Sequence, residues 1–140
     1  MQVVINVCFG GFSLSDAAED LYASKAGFKV YRYEQTKYKH REGEDEYTRV
    51  ESGEGGIFSH TYKKDFGEKF SGHPKDDSYW SSRQIDRTDP KLIEVIKELG
   101  DSANGGFASL RVVEIPDGIE YEISEYDGSE HIAEVHRTWS

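Results

Sequence analysis

Between Glu42 and Gln84 only two side chains, Val50 and Ile57, are aliphatic and larger than alanine. A stretch this poor in aliphatic groups cannot build a core of its own, because it buries too little apolar surface to offset the entropy of ordering its backbone. The core must come from the two ends, so the fold has to bring residues 2–33 and 85–139 together. Rings still punctuate the stretch, at Tyr47, Phe58, Tyr62, Phe66, Phe70, Tyr79 and Trp80. We therefore read 34–84 as a long Gly- and aromatic-rich excursion with short strands around 46–50 and 57–62. Excursions of this length in small domains are usually functional or flexible.

The ends have regular signals. Residues 2–8, QVVINVC, are a short β-branched run that reads as a buried strand. Phe9-Gly10-Gly11-Phe12 breaks it. Ser15 then offers a helix N-cap, with Asp16, Glu19 and Asp20 near the positive end of the dipole, and Gly27 suits the C-terminal cap. Alternation over 28–33 predicts a second strand. Asp89 and Pro90 start a second helix, whose apolar stripe is Leu92, Ile93, Val95, Ile96 and Leu99 and whose end is Gly100. Residues 108–115 read as a strand, residues 119–124 alternate strictly, and Asp127-Gly128 predicts a tight hairpin returning through 130–139.

These elements predict one α+β domain over 1–140. It has a β–α–β start, a second helix at about 89–99 and a C-terminal antiparallel meander. A right-handed crossover would set the first two strands parallel if they share a sheet. The expected arrangement is a mixed sheet covered on one face by two helices, burying Val3, Ile5, Leu92, Val95, Ile96, Val112 and Ile123.

Composition narrows the function classes. The chain has 140 residues and a net charge of −10, which suits a single domain and argues against direct nucleic-acid binding or an anionic membrane surface. No apolar run approaches the length of a membrane helix, and the N-terminus lacks a basic leader region, so a cytoplasmic location is expected. Cys8, the single cysteine, excludes an internal disulfide and reads as a buried structural thiol. The charge is uneven: residues 1–41 sum to +2 and the remainder to −12. Eight acids and no Lys or Arg lie between Glu114 and Glu134, including Glu120, Glu122 and Glu130. Such a row is a solvated face, or a surface that engages a basic partner.

No metal or cofactor is expected. His40, His60, His73, His131 and His136 are scattered, and the last two, five apart on a strand, point to opposite faces. No carboxylates form a recognisable acid/base pair. Gly10 and Gly11 join a strand to a helix start, where backbone N–H groups can hold an anion or make a plain turn. The segment from Tyr79 to Arg87 places two rings, Tyr79 and Trp80, beside two guanidinium groups, Arg83 and Arg87. Those are the parts that stack a base and grip phosphate, or else a Trp packed on the sheet with its arginines paired to surplus acids. His136-Arg137-Thr138-Trp139 has a similar composition.

The segments VVINVCFGGFSLS, IDRTDPKLIEVIKELG, ANGGFASLRVVEIPDG and YEISEYDGSEHIAEVHRTW resemble a family of small phage and prophage proteins. The resemblance covers roughly residues 2–33 and 85–139 and assigns no catalytic residues. It implies a viral protein in a bacterial cytoplasm, acting by binding in host takeover or counter-defence.

Two binding readings follow, and one enzymatic alternative. In the first, Tyr79, Trp80, Arg83 and Arg87, with backbone donors from Gly10 and Gly11, sequester a phosphate-bearing nucleotide signal. In the second, Glu120, Glu122 and Glu130 occupy a basic host protein. A nucleotide-degrading hydrolase is the enzymatic alternative. Rings such as Phe58, Phe66, Phe70 and Trp80 look too many for one chain to cover, so a homo-oligomer, most simply a dimer, is expected.

Overall fold

The first strand, β1 (Gln2–Asn6), is buried along almost its whole length and divides two cores. In a computed structural model of the chain, residues 1–37, 46–53, 59–72 and 78–135 are described. His40, Phe58, His73 and the His136–Trp139 segment lie outside them. Because strand side chains alternate, Val4 faces one core and Val3 and Ile5 the other. Val4 meets helices α1 (Asp16–Ala26) and α2 (Pro90–Leu99) together with Trp80. Val3 and Ile5 meet Ile115 and the apolar side of a hairpin made of β7 (Tyr121–Tyr126) and β8 (Ser129–Glu134).

Both helices start and stop where local chemistry says they should. Ser15 Oγ accepts from the Ala18 N–H, and Gly27 closes α1 at φ 87°, a left-handed conformation that glycine adopts without strain. Asp89 accepts from the Lys91 N–H ahead of Pro90. Asp89 also accepts from the Tyr22 hydroxyl at 2.7 Å, which fastens one helix to the start of the other. Burial and this carboxylate push the Tyr22 hydroxyl up to about 12. The Asp127-Gly128 turn has both residues at positive φ, the geometry that matches strand twist in a two-residue hairpin.

The α+β class holds, but the strands do not form one mixed sheet. Among the described residues they fall into three antiparallel sheets: β1 with β6 (Leu110–Glu114), the β7–β8 hairpin, and a four-stranded sheet. The last is ordered β4-β2-β3-β5, from β2 (Tyr31–Lys37), β3 (Glu46–Val50), β4 (Ser59–Tyr62) and β5 (Lys69–Ser71). The crossover therefore never makes a parallel pair. Strands from the excursion take both edges of β2, and the free edge of β1 is taken by side-chain and loop groups described below. Val3, Ile5 and Ile123 accordingly sit in the hairpin core and not under the helices, where Leu92, Val95, Ile96 and Val112 pack as expected and Val4 and Leu110 join them.

The excursion takes part in a third core, built on Tyr33 of β2 and not from its own residues alone. Tyr33, Tyr47 and Tyr62 are buried, with Phe66 and Phe70 packed on them at ring-centroid distances of 4.8–6.1 Å. A single ring buries on the order of 150–250 Å², so a few rings replace many aliphatic side chains. The Tyr33 hydroxyl is satisfied at the edge, where it donates to Gly67 O and accepts from the Phe66 N–H. Trp80, expected to need a partner, is packed within the chain, as are Phe66 and Phe70.

Candidate functional site

The free edge of β1 is closed by one arginine and one glutamate. The Val4 N–H donates to Arg87 O, and the Asn6 N–H, two residues on along the same edge, donates to Glu130 Oε1 at 2.8 Å. Arg87 grips both Glu130 oxygens, at 2.7 and 2.9 Å, donates to Val4 O, and lies 3.6 Å over the Phe12 ring. Burial alone would push the Glu130 carboxyl up, but Arg87 and the Asn6 amide outweigh it and hold it below the usual range. Neither residue is left to do what the sequence suggested. Arg87 is engaged with protein groups and not with an incoming phosphate, and Glu130 is buried and not presented to a partner.

Asn6 is the hub of this end. It is fully buried, and its side chain makes four hydrogen bonds: Nδ2 donates to Cys8 O and Gly128 O, while Oδ1 accepts from the Cys8 and Ser109 amides. One side chain thus ties together the loop after β1, the loop before β6 and the hairpin turn. The Gly10 N–H donates to Asp127 O, so the glycine turn spends that donor on the fold and not on an anion. Gly10 also abuts Phe107, and a Cβ there would come within 2.6 Å of the Phe107 Cβ.

The three gathered loops carry the three most exposed large apolar side chains among the described residues: Phe9 (64%), Phe107 (70%) and Tyr126 (74%). Exposed carboxylates accompany them, with Glu125 and Asp127 beside Tyr126, Glu122 farther along β7 and Glu120 just before it. Cys8, read as a buried thiol, is exposed here, because the chain leaves the sheet at Asn6 and turns outward.

The two rings of the expected nucleotide site do not join its cations. Trp80 is 3% exposed, stacked on Tyr22 at 6.2 Å and edge-on to Phe28, so it cannot stack a ligand. Tyr79 is exposed but packs edge-on to Tyr62 on the four-stranded sheet. Gly11, Arg83 and Arg87 do line one cavity of about 320 Å³, but Glu125 and Glu130 line it with them. Arg83 is exposed and makes no side-chain ion pair among the described residues.

No protein-family model, curated protein or solved structure matches the chain. Among the described residues no three His, Cys, Asp or Glu side chains gather as metal ligands, and no helix is long and apolar enough to cross a membrane.

Sequence reasoning missed Asn6 and the three rings. Asn6 had a signal, a lone amide inside an apolar strand run, since a buried polar group implies a full set of partners. Phe9 and Phe107 each adjoin a glycine, but nothing local says that their loops meet.

A second cluster lies at the other side of α1. Arg32, 4% exposed, donates from Nη1 to Asp20 at 2.9 Å and from Nη2 to Glu19 and Asp16 O. Burial pulls the Arg32 charge down, but Asp20, Asp16 and Glu19 outweigh it and keep the guanidinium charged. Glu19 behaves oppositely. As the most buried of the three acids it is pushed up to about 7 by burial, against the pull of Arg32 and with the repulsion of Asp16 and Asp20.

Proposed function

We propose that this chain is a non-enzymatic binding protein that docks its acidic, ring-tipped end onto a basic partner protein. The observation that carries the reading is the gathering of Phe9, Phe107 and Tyr126 on loops fastened by Asn6. Exposed aromatic groups clustered on a rigid support are the anchors from which protein interfaces draw most of their energy. Carboxylates around such anchors steer a basic partner in and set its orientation. The acids are Glu122, Glu125 and Asp127, on a chain with net charge −10.

The resemblance to small phage and prophage proteins frames the partner as a host protein, met in a bacterial cytoplasm during host takeover or counter-defence. Of the acids singled out in the sequence, Glu120 and Glu122 stay on the exposed face, while Glu130 holds the fold behind it. Sequestration of a nucleotide at Tyr79, Trp80, Arg83 and Arg87 has less to work with. Its tryptophan is buried and one of its two arginines is neutralised by Glu130.

Affinity capture from a bacterial lysate, followed by purification and titration of the retained protein, tests the reading. The expected partner is basic, binds with defined stoichiometry, weakens with salt, and is lost with Phe107→Ser/Tyr126→Ser. Binding untouched by that double substitution would overturn the reading. So would light scattering showing a dimer that Phe107→Ser/Tyr126→Ser converts to a monomer.

A further inference from the structure

We infer that the outer edge of β6 is a docking site for an extended, basic peptide segment, which adds to the β1–β6 sheet as a third strand. The surface uses none of Phe9, Phe107 and Tyr126, so the inference stands or falls separately from the proposed function.

The hydrogen-bond register fixes which groups face outward. The Val7 N–H donates to Ser109 O and the Ile115 N–H to Met1 O, at the two ends of β6. Bonded pairs alternate along an antiparallel ladder, so the backbone groups of Arg111 and Val113 face β1. Those of Leu110, Val112 and Glu114 point away from it. The same alternation sets Val4 and Asn6 on the outer edge of β1, which Arg87 and Glu130 close. Strand β6 has no such closure. Asn104 Oδ1 accepts from the Leu110 N–H, but the backbone groups of Val112 and Glu114 meet no partner among the described residues. Donors and acceptors repeating at every second residue match the edge of another strand, and open edges of this kind recruit one.

Strand β6 is also backed on both faces. Leu110 and Val112 pack on the helical core, while Val113 and Ile115 belong to the hairpin core. An added strand therefore meets a fixed template and directs its side chains alternately to the two layers. On the hairpin side a cavity of about 170 Å³ opens beside Ile115, lined also by Pro116, Ile119, Tyr121 and Ile132. It has room for an aliphatic side chain of the incoming segment. In such complexes main-chain bonds supply affinity and the pocket supplies selectivity. Charge narrows the occupant further. Glu114 is exposed at the edge, Glu134 lines the cavity, and no Lys or Arg lies between them in the sequence. A basic segment is drawn to this side of the chain and an acidic one is repelled.

Titration of the full chain with a short peptide of alternating lysine and valine, read by amide NMR and hydrogen exchange, tests the inference. A fully N-methylated copy keeps the charge and side chains but has no backbone donors. Glu114→Pro removes one outward N–H and leaves the bonds to β1, and its fold is checked in the same spectra. Glu114→Gln keeps that N–H and should weaken binding less. In the free chain the Val112 and Glu114 amides should exchange faster than those of Arg111 and Val113. The peptide should bind saturably and protect them, and N-methylation or Glu114→Pro should weaken binding at least about tenfold. Absence of saturable binding would overturn the site. So would equal binding of the N-methylated peptide or of a glutamate–valine peptide, or protection centred on residues 121–126. Val112 and Glu114 amides already protected in the free chain would overturn it as well.

Discussion

Replacing Glu130 by alanine should destabilise the domain by about 3 kcal/mol, because Glu130 closes the open edge of β1 and is not a surface acid. The figure follows from what the carboxylate touches. Its removal leaves the buried Asn6 N–H without an acceptor, a loss of about 1–3 kcal/mol. It also strands the Arg87 guanidinium, whose side chain is 22% exposed. Breaking a fully buried pair costs about 3–5 kcal/mol, so the partly wetted Arg87 belongs at or below the low end, and the two losses overlap. In a chain of this size the change corresponds to a fall in Tm of roughly 10 °C. Glu130→Gln keeps an acceptor for Asn6 and loses only the charge, so it should fall by about half as much. Because the folded carboxyl is held below its usual range, its stabilisation is full above the unfolded pKa and disappears as pH falls through the folded one. The Gln variant should therefore show a flatter acid limb. Urea unfolding followed by tryptophan fluorescence, repeated across pH, reads all three effects. A loss under about 0.5 kcal/mol in the alanine variant, the size typical of an exposed acid, would refute the edge-closing role. It would also return Arg87 to the pool of cations available for a ligand.

Glu19→Gln should raise stability at pH 8 and flatten its dependence between about pH 5 and 7. The folded Glu19 takes up its proton at about 7, above the unfolded value, so its contribution is full at low pH and is lost as pH rises through that window; thermal melts across pH check the sign. Asn6→Ala should cost about 2–4 kcal/mol by unpairing the Cys8, Ser109 and Gly128 backbone groups. It should also weaken partner binding more than its distance from the surface suggests, measurable by denaturation and titration of the same protein. Tyr33→Phe should cost about 1–2 kcal/mol through the lost bonds to Gly67 and Phe66, with no effect on partner binding.

What could be read in the sequence was whatever local chemistry determines. Ser15, Gly27, Asp89 and Pro90 bound the two helices where their side chains and φ preferences put them, and Asp127-Gly128 sets the hairpin. The short strands at 46–50 and near 57–62 were also legible. The aromatic sheet core was not, because counting aliphatic groups undervalues Tyr33, Tyr47 and Tyr62, which bury as much surface with fewer residues. The division into three sheets was hidden for a related reason: which strand pairs with β2 depends on partners far along the chain. At the site, Arg87 and Glu130 carry opposite charges that the sequence places 43 residues apart, and only the fold reveals that they bind each other. Arg32 looks like any outward polar residue of the second strand, and its signal lies elsewhere, in the three acids of the first two turns of α1 that one buried cation answers.

Hydrogen exchange of the chain, alone and saturated with its captured partner, tests the docking end most directly. The account predicts new protection concentrated at residues 7–12, 105–109 and 125–130, the loops that Asn6 ties together, with little change in β2–β5. Protection centred on α1 and the four-stranded sheet, with the ring-bearing loops exchanging as freely as before, would contradict it.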